Sequence, residues 1–146
     1  MISVRRLGPA DRGSWEVLAR GYKSFYETVV PDEGYAHTWH RLLDGAELNG
    51  VAAWLDGCLV GIAHYLYHAT VWSGDACYLQ DLFVAETARG RGAARALIER
   101  VASDARAQGS TSLYWQTKQD NAVARTLYDK VARFKGFVRY DYPLNE

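Results

Sequence analysis

The stretch from residue 77 to residue 109 restricts the possible folds most strongly, because its hydrophobic period changes in the middle. Residues 77–84 form an apolar run of strand length, whereas from Gly92 onward apolar residues recur every three or four positions, as on one face of a helix. Gly109 follows the last of them, where glycine commonly ends a helix. The segment Ala-Arg-Gly-Arg-Gly-Ala-Ala at 88–94 joins the two patterns. This order predicts a strand, a glycine-rich loop and an amphipathic helix.

Strand and helix signals alternate along the rest of the chain, and the Asp56-Gly57 pair is typical of a tight hairpin turn. The predicted strands are residues 2–7, 51–55, 59–67, 77–84, 113–117 and 137–142, and the predicted helices are residues 11–27, 35–43, 92–108 and 121–133. We therefore predict a mixed α/β fold in which an antiparallel meander is followed by a β-α-β-α-β segment.

Length and composition favour one domain over residues 1–146. A chain of 146 residues, 49% of them hydrophobic, can bury a core without disulfides or a structural metal. The 17 Lys and Arg residues balance 17 Asp and Glu residues, so no overall field attracts nucleic acid or an anionic membrane, and we expect neither as a partner.

The cysteines and the N-terminus give evidence on the cellular compartment of the protein. Cys58 and Cys77 lie in apolar strand-like runs, without a CxxC pair or a His at metal-ligand spacing. We expect two reduced core cysteines and no metal. The N-terminus lacks an apolar signal region, and no stretch of about 20 apolar residues could span a bilayer. These features favour a cytoplasmic protein.

The loop at 88–94 has the composition of an anion-binding site. Gly90 and Gly92 allow backbone N–H groups to converge on phosphate oxygens, the following helix adds partial positive charge, and Arg89 and Arg91 offer charge-assisted hydrogen bonds. An ordinary turn with solvated arginines is the alternative. The loop lacks a Walker Gly-Lys-Ser/Thr and a dinucleotide GxGxxG, which disfavours ATP and NAD.

Arg89, Gly92 and Ala94 match the signature (Gln/Arg)-x-x-Gly-x-(Gly/Ala), and the sequence resembles the GCN5-related N-acetyltransferase (GNAT) superfamily. With residues 61–65 and 78–84, it is most similar to the spermidine/spermine (diamine) and related small-amine acetyltransferases, over roughly 48–142. The resemblance implies a central mixed sheet with helices on both faces, a homodimer, and acetyl-CoA as co-substrate. The loop residues that would bind it are Arg89, Gly90, Arg91, Gly92, Ala93 and Ala94.

The resemblance also assigns cofactor-binding residues outside the loop. Leu82, Phe83 and Val84 match the strand that bonds the pantetheine arm through its backbone, and an N–H near Leu82 or Phe83 would stabilise the oxyanion. Asn121 and Tyr128 match the family's second cofactor motif, in which Asn holds the pantetheine arm and Tyr protonates the departing sulfur. A helix cap and a half-buried aromatic are the plainer alternatives for these two.

The sequence does not single out one residue as the general base that takes the proton of the amine. Where the diamine acetyltransferases carry a Glu-Asp pair, this chain has Gln80 and Asp81, and Gln accepts no proton. Asp81 is then the candidate carboxylate, as a base through water or as an anchor for the substrate ammonium, with a sheet-end ion pair as the alternative. His64 and His68 share a strand face, and either could relay a proton near neutral pH, with packing or solvation as the alternative.

An aromatic and acidic cluster on the first helix suits an alkylammonium substrate. Tyr22 and Tyr26 lie at helical spacing with Glu27 beside them. Packing of this helix against the sheet is the alternative for the aromatic residues. The five tryptophans are assigned to core and dimer packing.

Taken together, these features predict an acetyl-CoA-dependent N-acetyltransferase that acts directly on a primary amine of a small molecule, such as a polyamine or an amino acid. No cysteine lies near the loop at 88–94 or the motif of Asn121 and Tyr128, which favours direct transfer over an acyl-enzyme. A protein or peptide N-acetyltransferase is one alternative. A noncatalytic acyl-CoA-binding module is another, and Gln80 is the residue that favours it.

Overall fold

A computed structural model describes residues 1–145, which divide into two units, Met1–Gln116 and a second that begins at Thr117. The strands are β1 (Ile2–Arg6), β2 (Asn49–Leu55), β3 (Cys58–His68), β4 (Ala76–Val84) and β5 (Ser112–Tyr114). The helices are α1 (Arg12–Phe25), α2 (Asp32–Asp44), α3 (Ala93–Gln108) and α4 (Ala122–Val131), with short 3-10 helices at Pro9–Asp11 and Glu86–Ala88.

The first unit contains one five-stranded sheet in the order β1-β2-β3-β4-β5. Neighbouring strands are antiparallel except for β4 and β5, which are parallel. Asp56 and Gly57 have φ values of 51° and 80°, as a two-residue hairpin turn of the type I′ class requires. The predicted hairpin and the antiparallel meander are confirmed.

Helices α1 and α2 cover one face of this sheet. Their buried residues form a core with Ala52 of β2 and Ile62 of β3, and the rings of Trp15 and Trp39 pack with their centroids 5.1 Å apart. The contributing residues are Trp15, Leu18, Ala19, Tyr35, Trp39 and Leu42. The apolar spacing on α1 and α2 thus produces the packed layer beside which the candidate site lies.

Helix α3 covers the opposite face. Leu97 and Val101 are fully buried, and a Cβ added to Gly61 of β3 would lie 3.0 Å from Leu97 Cδ1. Glycine at this position therefore allows α3 to approach the sheet closely, and a Leu97→Ala change would cost about 2–5 kcal/mol. With helices on both faces of a mixed sheet, the predicted mixed α/β class is confirmed.

The last predicted strand, at 137–142, is not formed. Residues 132–145 carry neither helix nor strand, and the side chains of Phe137, Val138, Tyr140 and Tyr142 are 74–90% exposed. Alternating apolar residues specify a strand only where a neighbouring strand supplies hydrogen bonds, and no strand within 1–145 pairs with them. The adjacent elements are also shorter than predicted, since β5 ends at Tyr114 and α4 ends at Val131.

The two cysteines have different environments. Cys77 is buried in β4, where burial, and then the charge of Asp104, raise the pKa of its thiol to about 11. Cys58 is exposed beside the hairpin turn, so its predicted place in the core is wrong. Both thiols are free. None of the helices among residues 1–145 has the length and apolar character needed to cross a bilayer.

Candidate active site

A β-bulge in β4 sets the direction of the Asp81 side chain. The β3–β4 register passes from Asp81 opposite His64 to Leu79 opposite Tyr65, which leaves Gln80 as the extra residue. Bulges bend a strand and redirect its side chains. Gln80 is exposed to solvent, whereas the Asp81 side chain is only 21% exposed and faces α1.

The Asp81 carboxylate accepts hydrogen bonds from two different elements. His64 Nδ1 lies 2.9 Å from Asp81 Oδ2, and the Tyr22 hydroxyl on α1 donates to the same carboxylate. Burial by itself would raise the pKa of Asp81, but the hydrogen bond from His64, the charge that the His64 ring carries when protonated, the Tyr22 hydroxyl and the charge of Lys23 outweigh it, so the pKa is lowered. Asp81 is therefore an anion at neutral pH.

The other ring nitrogen of His64 is also engaged. Trp15 Nε1 on α1 donates to His64 Nε2 at 2.9 Å. His68 lies in a different environment, where its ring nitrogens contact the Tyr114 hydroxyl and the Ala69 carbonyl. The two histidines therefore contact different groups. Sequence reasoning missed Trp15, which is 49 residues from His64, and no local pattern links them.

Aromatic rings surround the Asp81 carboxylate on the α1 side. The Tyr22 ring lies 5.0 Å from Tyr26 and 5.9 Å from Phe83, measured between centroids. Burial, followed by the charge of Asp81, raises the pKa of both Tyr22 and Tyr26. The structure thus brings together Tyr22, Tyr26 and Asp81, three of the four predicted substrate residues.

Glu27 is the fourth predicted substrate residue. It follows α1 in a left-handed conformation with φ of 54° and is exposed. Its carboxylate makes no hydrogen bond or ion pair with the rest of residues 1–145. The helix ends at Phe25, two residues before Glu27, so Glu27 is not part of the helix that carries Tyr22, and its substrate role stays a prediction.

The arginine-glycine loop leaves the start of α3 open. Gly90 and Gly92 have φ values of 79° and 86°, and a Cβ added to either would have no neighbour within 4 Å. Gly92 is the N-cap of α3 and has no side chain to accept the first-turn N–H groups. These donors and the helix dipole suit a phosphate group. The loop residues present therefore fit a pyrophosphate ligand.

The two arginines of the loop differ in their contacts. Arg89 lies against the end of β4, where its Nε donates to the Val84 carbonyl at 3.4 Å and its guanidinium carbon is 6.0 Å from the Phe83 ring centroid. Arg91 is exposed. Ala93 is buried at the first position of α3 and Ala94 is partly buried beside it. These two alanines can thus contribute backbone N–H groups and little side chain.

The second half of β4 has one open edge. Strand β5 pairs only with residues 76–78 of β4, while Leu82, Phe83 and Val84 continue to pair with β3 on the other side. No other strand within 1–145 covers the open edge. An extended ligand can therefore bond these backbone groups as an added strand would.

The second unit contains the remaining predicted cofactor residues. Asn121 caps α4, since its Oδ1 accepts from the Ala124 N–H at 3.3 Å and its Nδ2 donates to Thr117 Oγ1 at 3.3 Å. Tyr128 is partly buried on the same helix. Asn121 is thus a helix cap, as the plainer alternative predicted. The cofactor roles of Asn121 and Tyr128 stay predictions.

Comparison with known proteins defines the class of this protein. The family model described as "Acetyltransferase (GNAT) family" matches residues 15–134. The chain therefore belongs to the GNAT family, and it is an N-acetyltransferase.

Two curated relatives and one solved structure illustrate the likeness. The chain is 39% identical over 135 residues to the D-amino-acid N-acetyltransferase HPA3 of Saccharomyces cerevisiae, covering 90% of this chain and 84% of the relative. It is 32% identical over 105 residues to the thialysine N-epsilon-acetyltransferase of Bos taurus, covering 70% and 61%. Its fold matches the aminoglycoside N-acetyltransferase AAC(6')-Iy in complex with CoA, with a TM-score of 0.87, 18% identity and coverage of 99% and 95%.

Proposed function

We propose that this enzyme transfers the acetyl group of acetyl-CoA to the primary amine of a small molecule, and that free amino acids are its substrate class. The observation that carries the proposal is Asp81, a carboxylate held by His64 and Tyr22 beside the aromatic rings of Tyr22 and Tyr26. A fixed anion next to aromatic faces is the environment that an alkylammonium requires.

Asp81 is proposed as an anchor and not as the base. A carboxylate with a lowered pKa is a weak proton acceptor at neutral pH, because the best catalytic bases have pKa values near the working pH. The same carboxylate binds an ammonium group well. Since an alkylamine has a pKa near 10, roughly that of Lys, the ammonium binds to Asp81 first, and its proton then leaves to water.

The loop and the β4 edge are proposed to hold acetyl-CoA. When bound, acetyl-CoA supplies an activated acetyl thioester. Arg89, Arg91 and the N–H groups at the start of α3 bind the pyrophosphate, and the β4 edge at Leu82 to Val84 bonds the pantetheine arm. The open edge and the uncapped helix support this assignment.

Transfer forms a bond from the amine nitrogen to the acetyl carbon and breaks the bond from that carbon to sulfur. A backbone N–H near Leu82 or Phe83 stabilises negative charge on the acetyl oxygen. The Tyr128 hydroxyl donates a proton to the departing sulfur, and Asn121 holds the pantetheine arm. The roles of Tyr128 and Asn121 rest on their match to the family motif.

Lys23, a cation near the Asp81 carboxylate, supports free amino acids as the substrate class. Lys23 Nζ lies 5.6 Å from the Tyr22 ring centroid, and its charge acts on Asp81. A free amino acid carries one ammonium and one carboxylate, so Asp81 and Lys23 match its two charges. The relative from S. cerevisiae, 39% identical, is named for D-amino acids.

A thiol-release assay tests the proposal with D- and L-amino acids, thialysine, a polyamine, an aminoglycoside and a lysine-rich peptide as acceptors. We expect turnover of amino acids and a KM for them that rises at least tenfold in Asp81→Asn, with the KM for acetyl-CoA unchanged. Turnover of the peptide alone, or CoA binding without turnover of any acceptor, would refute the proposal. Because Cys58 is exposed, the assay includes a blank without acceptor.

We also propose a homodimer, a single catalytic domain over residues 1–146 and a cytoplasmic location. The exposed rings of Phe137, Tyr140 and Tyr142 support self-association, and the family match crosses the boundary between the two units. The free thiols suit a reducing compartment. Sedimentation of the wild type and of a Phe137→Ser/Tyr140→Ser variant tests the dimer, which the variant should weaken.

A further inference from the structure

The hydrogen bond from Trp15 fixes the protonation state of His64. An indole N–H can only donate, so His64 Nε2, 2.9 Å from Trp15 Nε1, must accept with its lone pair. A neutral imidazole then carries its proton on Nδ1, which lies 2.9 Å from Asp81 Oδ2 and donates to it. Trp15 is only 1% exposed, so water does not compete for this contact.

We propose that Trp15 and His64 are positioning residues, which orient the Asp81 carboxylate by holding the His64 ring in its neutral Nδ1–H tautomer. The inference rests on the proposed role of Asp81 in binding the amine. Protonation of Nε2 would place two N–H donors against each other, so the bond from Trp15 opposes it. An imidazolium at this position would neutralise the charge that the substrate ammonium needs.

Charged and titratable groups of the neighbouring elements lie near Asp81, the partner of His64. Helix α2 and strand β2 contribute Trp39, packed on Trp15, and Gly50, opposite His64, and neither is titratable. On α1 and β4, Tyr22 and Lys23 act on Asp81, and Tyr26 and Tyr78 act on Tyr22. Lys23 is therefore the cation of α1 that acts on the site through Asp81.

The tautomer can be observed directly by ¹⁵N NMR of the full-length enzyme labelled at histidine, without any substrate. His64→Asn assigns the signals of His64 among the four histidines. We expect Nδ1 to give a protonated, pyrrole-type shift and Nε2 an unprotonated, pyridine-type shift from pH 8 to about pH 5.5. An Nε2–H tautomer, or an imidazolium formed within this pH range, would overturn the inference.

Kinetics of Trp15→Phe test the consequence for the substrate. This variant keeps an aromatic ring but loses the donor, so His64 becomes free to accept a proton as the pH falls. We expect an amine KM close to that of the wild type at pH 8 and about tenfold higher near pH 5.5, the effect of losing one charge-assisted contact. The wild-type KM should stay nearly constant over this range.

Two further variants separate positioning from packing. Trp39→Phe removes the same atoms from the neighbouring ring, without touching the bond to His64, and should keep the wild-type profile. In Trp15→Phe/His64→Asn, the asparagine amide can donate to Asp81 in place of His64 Nδ1 and carries no titrating proton. The rise of the amine KM at low pH should therefore disappear in this variant. A Trp15→Phe profile identical to that of the wild type would overturn the positioning role. If the NMR result holds but Asp81→Asn binds amines normally, the amine role of Asp81 fails while the tautomer assignment stands.

Discussion

Gly92 and Gly109 lie at the two ends of α3 with nearly the same left-handed backbone, at φ values of 86° and 84°. An added Cβ would have no neighbour within 4 Å at either position. Gly92→Ala and Gly109→Ala should therefore destabilise the fold similarly, by about 1–2 kcal/mol each. The two glycines form a matched pair in which only Gly92 belongs to the proposed phosphate loop.

Gly92→Ala should weaken acetyl-CoA binding about tenfold or more, because its Cβ enters the space in front of the first-turn N–H groups. Gly109→Ala, at the far end of the helix, should bind acetyl-CoA like the wild type. Calorimetric titration of both variants measures the difference. Equal affinities for the two variants would refute the phosphate-loop assignment.

Lys23 should distinguish amino acids from simple amines. In Lys23→Gln, we expect the KM of an amino acid to rise about tenfold, because its carboxylate loses a charged partner. For a matched amine that has the same side chain but no carboxylate, the KM should stay the same or fall, since Lys23 repels an ammonium. Lys130→Gln on α4 serves as the control. Equal changes in KM for the two substrates would show that Lys23 does not bind the substrate carboxylate.

Much of the fold follows from local sequence signals. The Asp56-Gly57 turn, the period change at Gly92 and the helix stop at Gly109 each depend on residues close together in the chain, and all three are present in the structure. The strand predicted at 137–142 is not formed, because alternating apolar residues do not specify the neighbouring strand with which they would pair.

The candidate site was only partly predictable. Asp81, Tyr22 and Tyr26 could be proposed from residue chemistry, but their arrangement depends on contacts between α1, β3 and β4. His64 is 17 residues from Asp81 and 49 from Trp15. The bulge at Gln80, which sets the direction of Asp81, depends on the pairing of β4 with β3 and has no local sequence signal.

Tyr128→Phe should slow the chemical step more than it weakens cofactor binding. The change removes only the hydroxyl proposed to protonate the departing sulfur, and loss of a general acid typically costs about a hundredfold or more in rate. We therefore expect a lower kcat with the acetyl-CoA Kd within about twofold of the wild type. Tyr67→Phe, at a tyrosine of β3 outside the proposed site, is the control. A normal kcat in Tyr128→Phe would mean that the sulfur receives its proton elsewhere.

The stability of the fold in acid should depend on Asp81. Its pKa is lower in the folded state than the unfolded value of about 3.9, so its contribution to stability is fully present above that value and is lost as the pH falls through the folded pKa. Urea unfolding from pH 7 to pH 3 should show a steeper loss of stability below about pH 4 for the wild type than for Asp81→Asn. Asp32→Asn is the matched control, because Asp32 is an ion-paired carboxylate whose side chain is 87% exposed, and it should retain the wild-type acid dependence. Parallel curves for the wild type and Asp81→Asn would show that the hydrogen bonds from His64 and Tyr22 do not hold the carboxylate in its charged form.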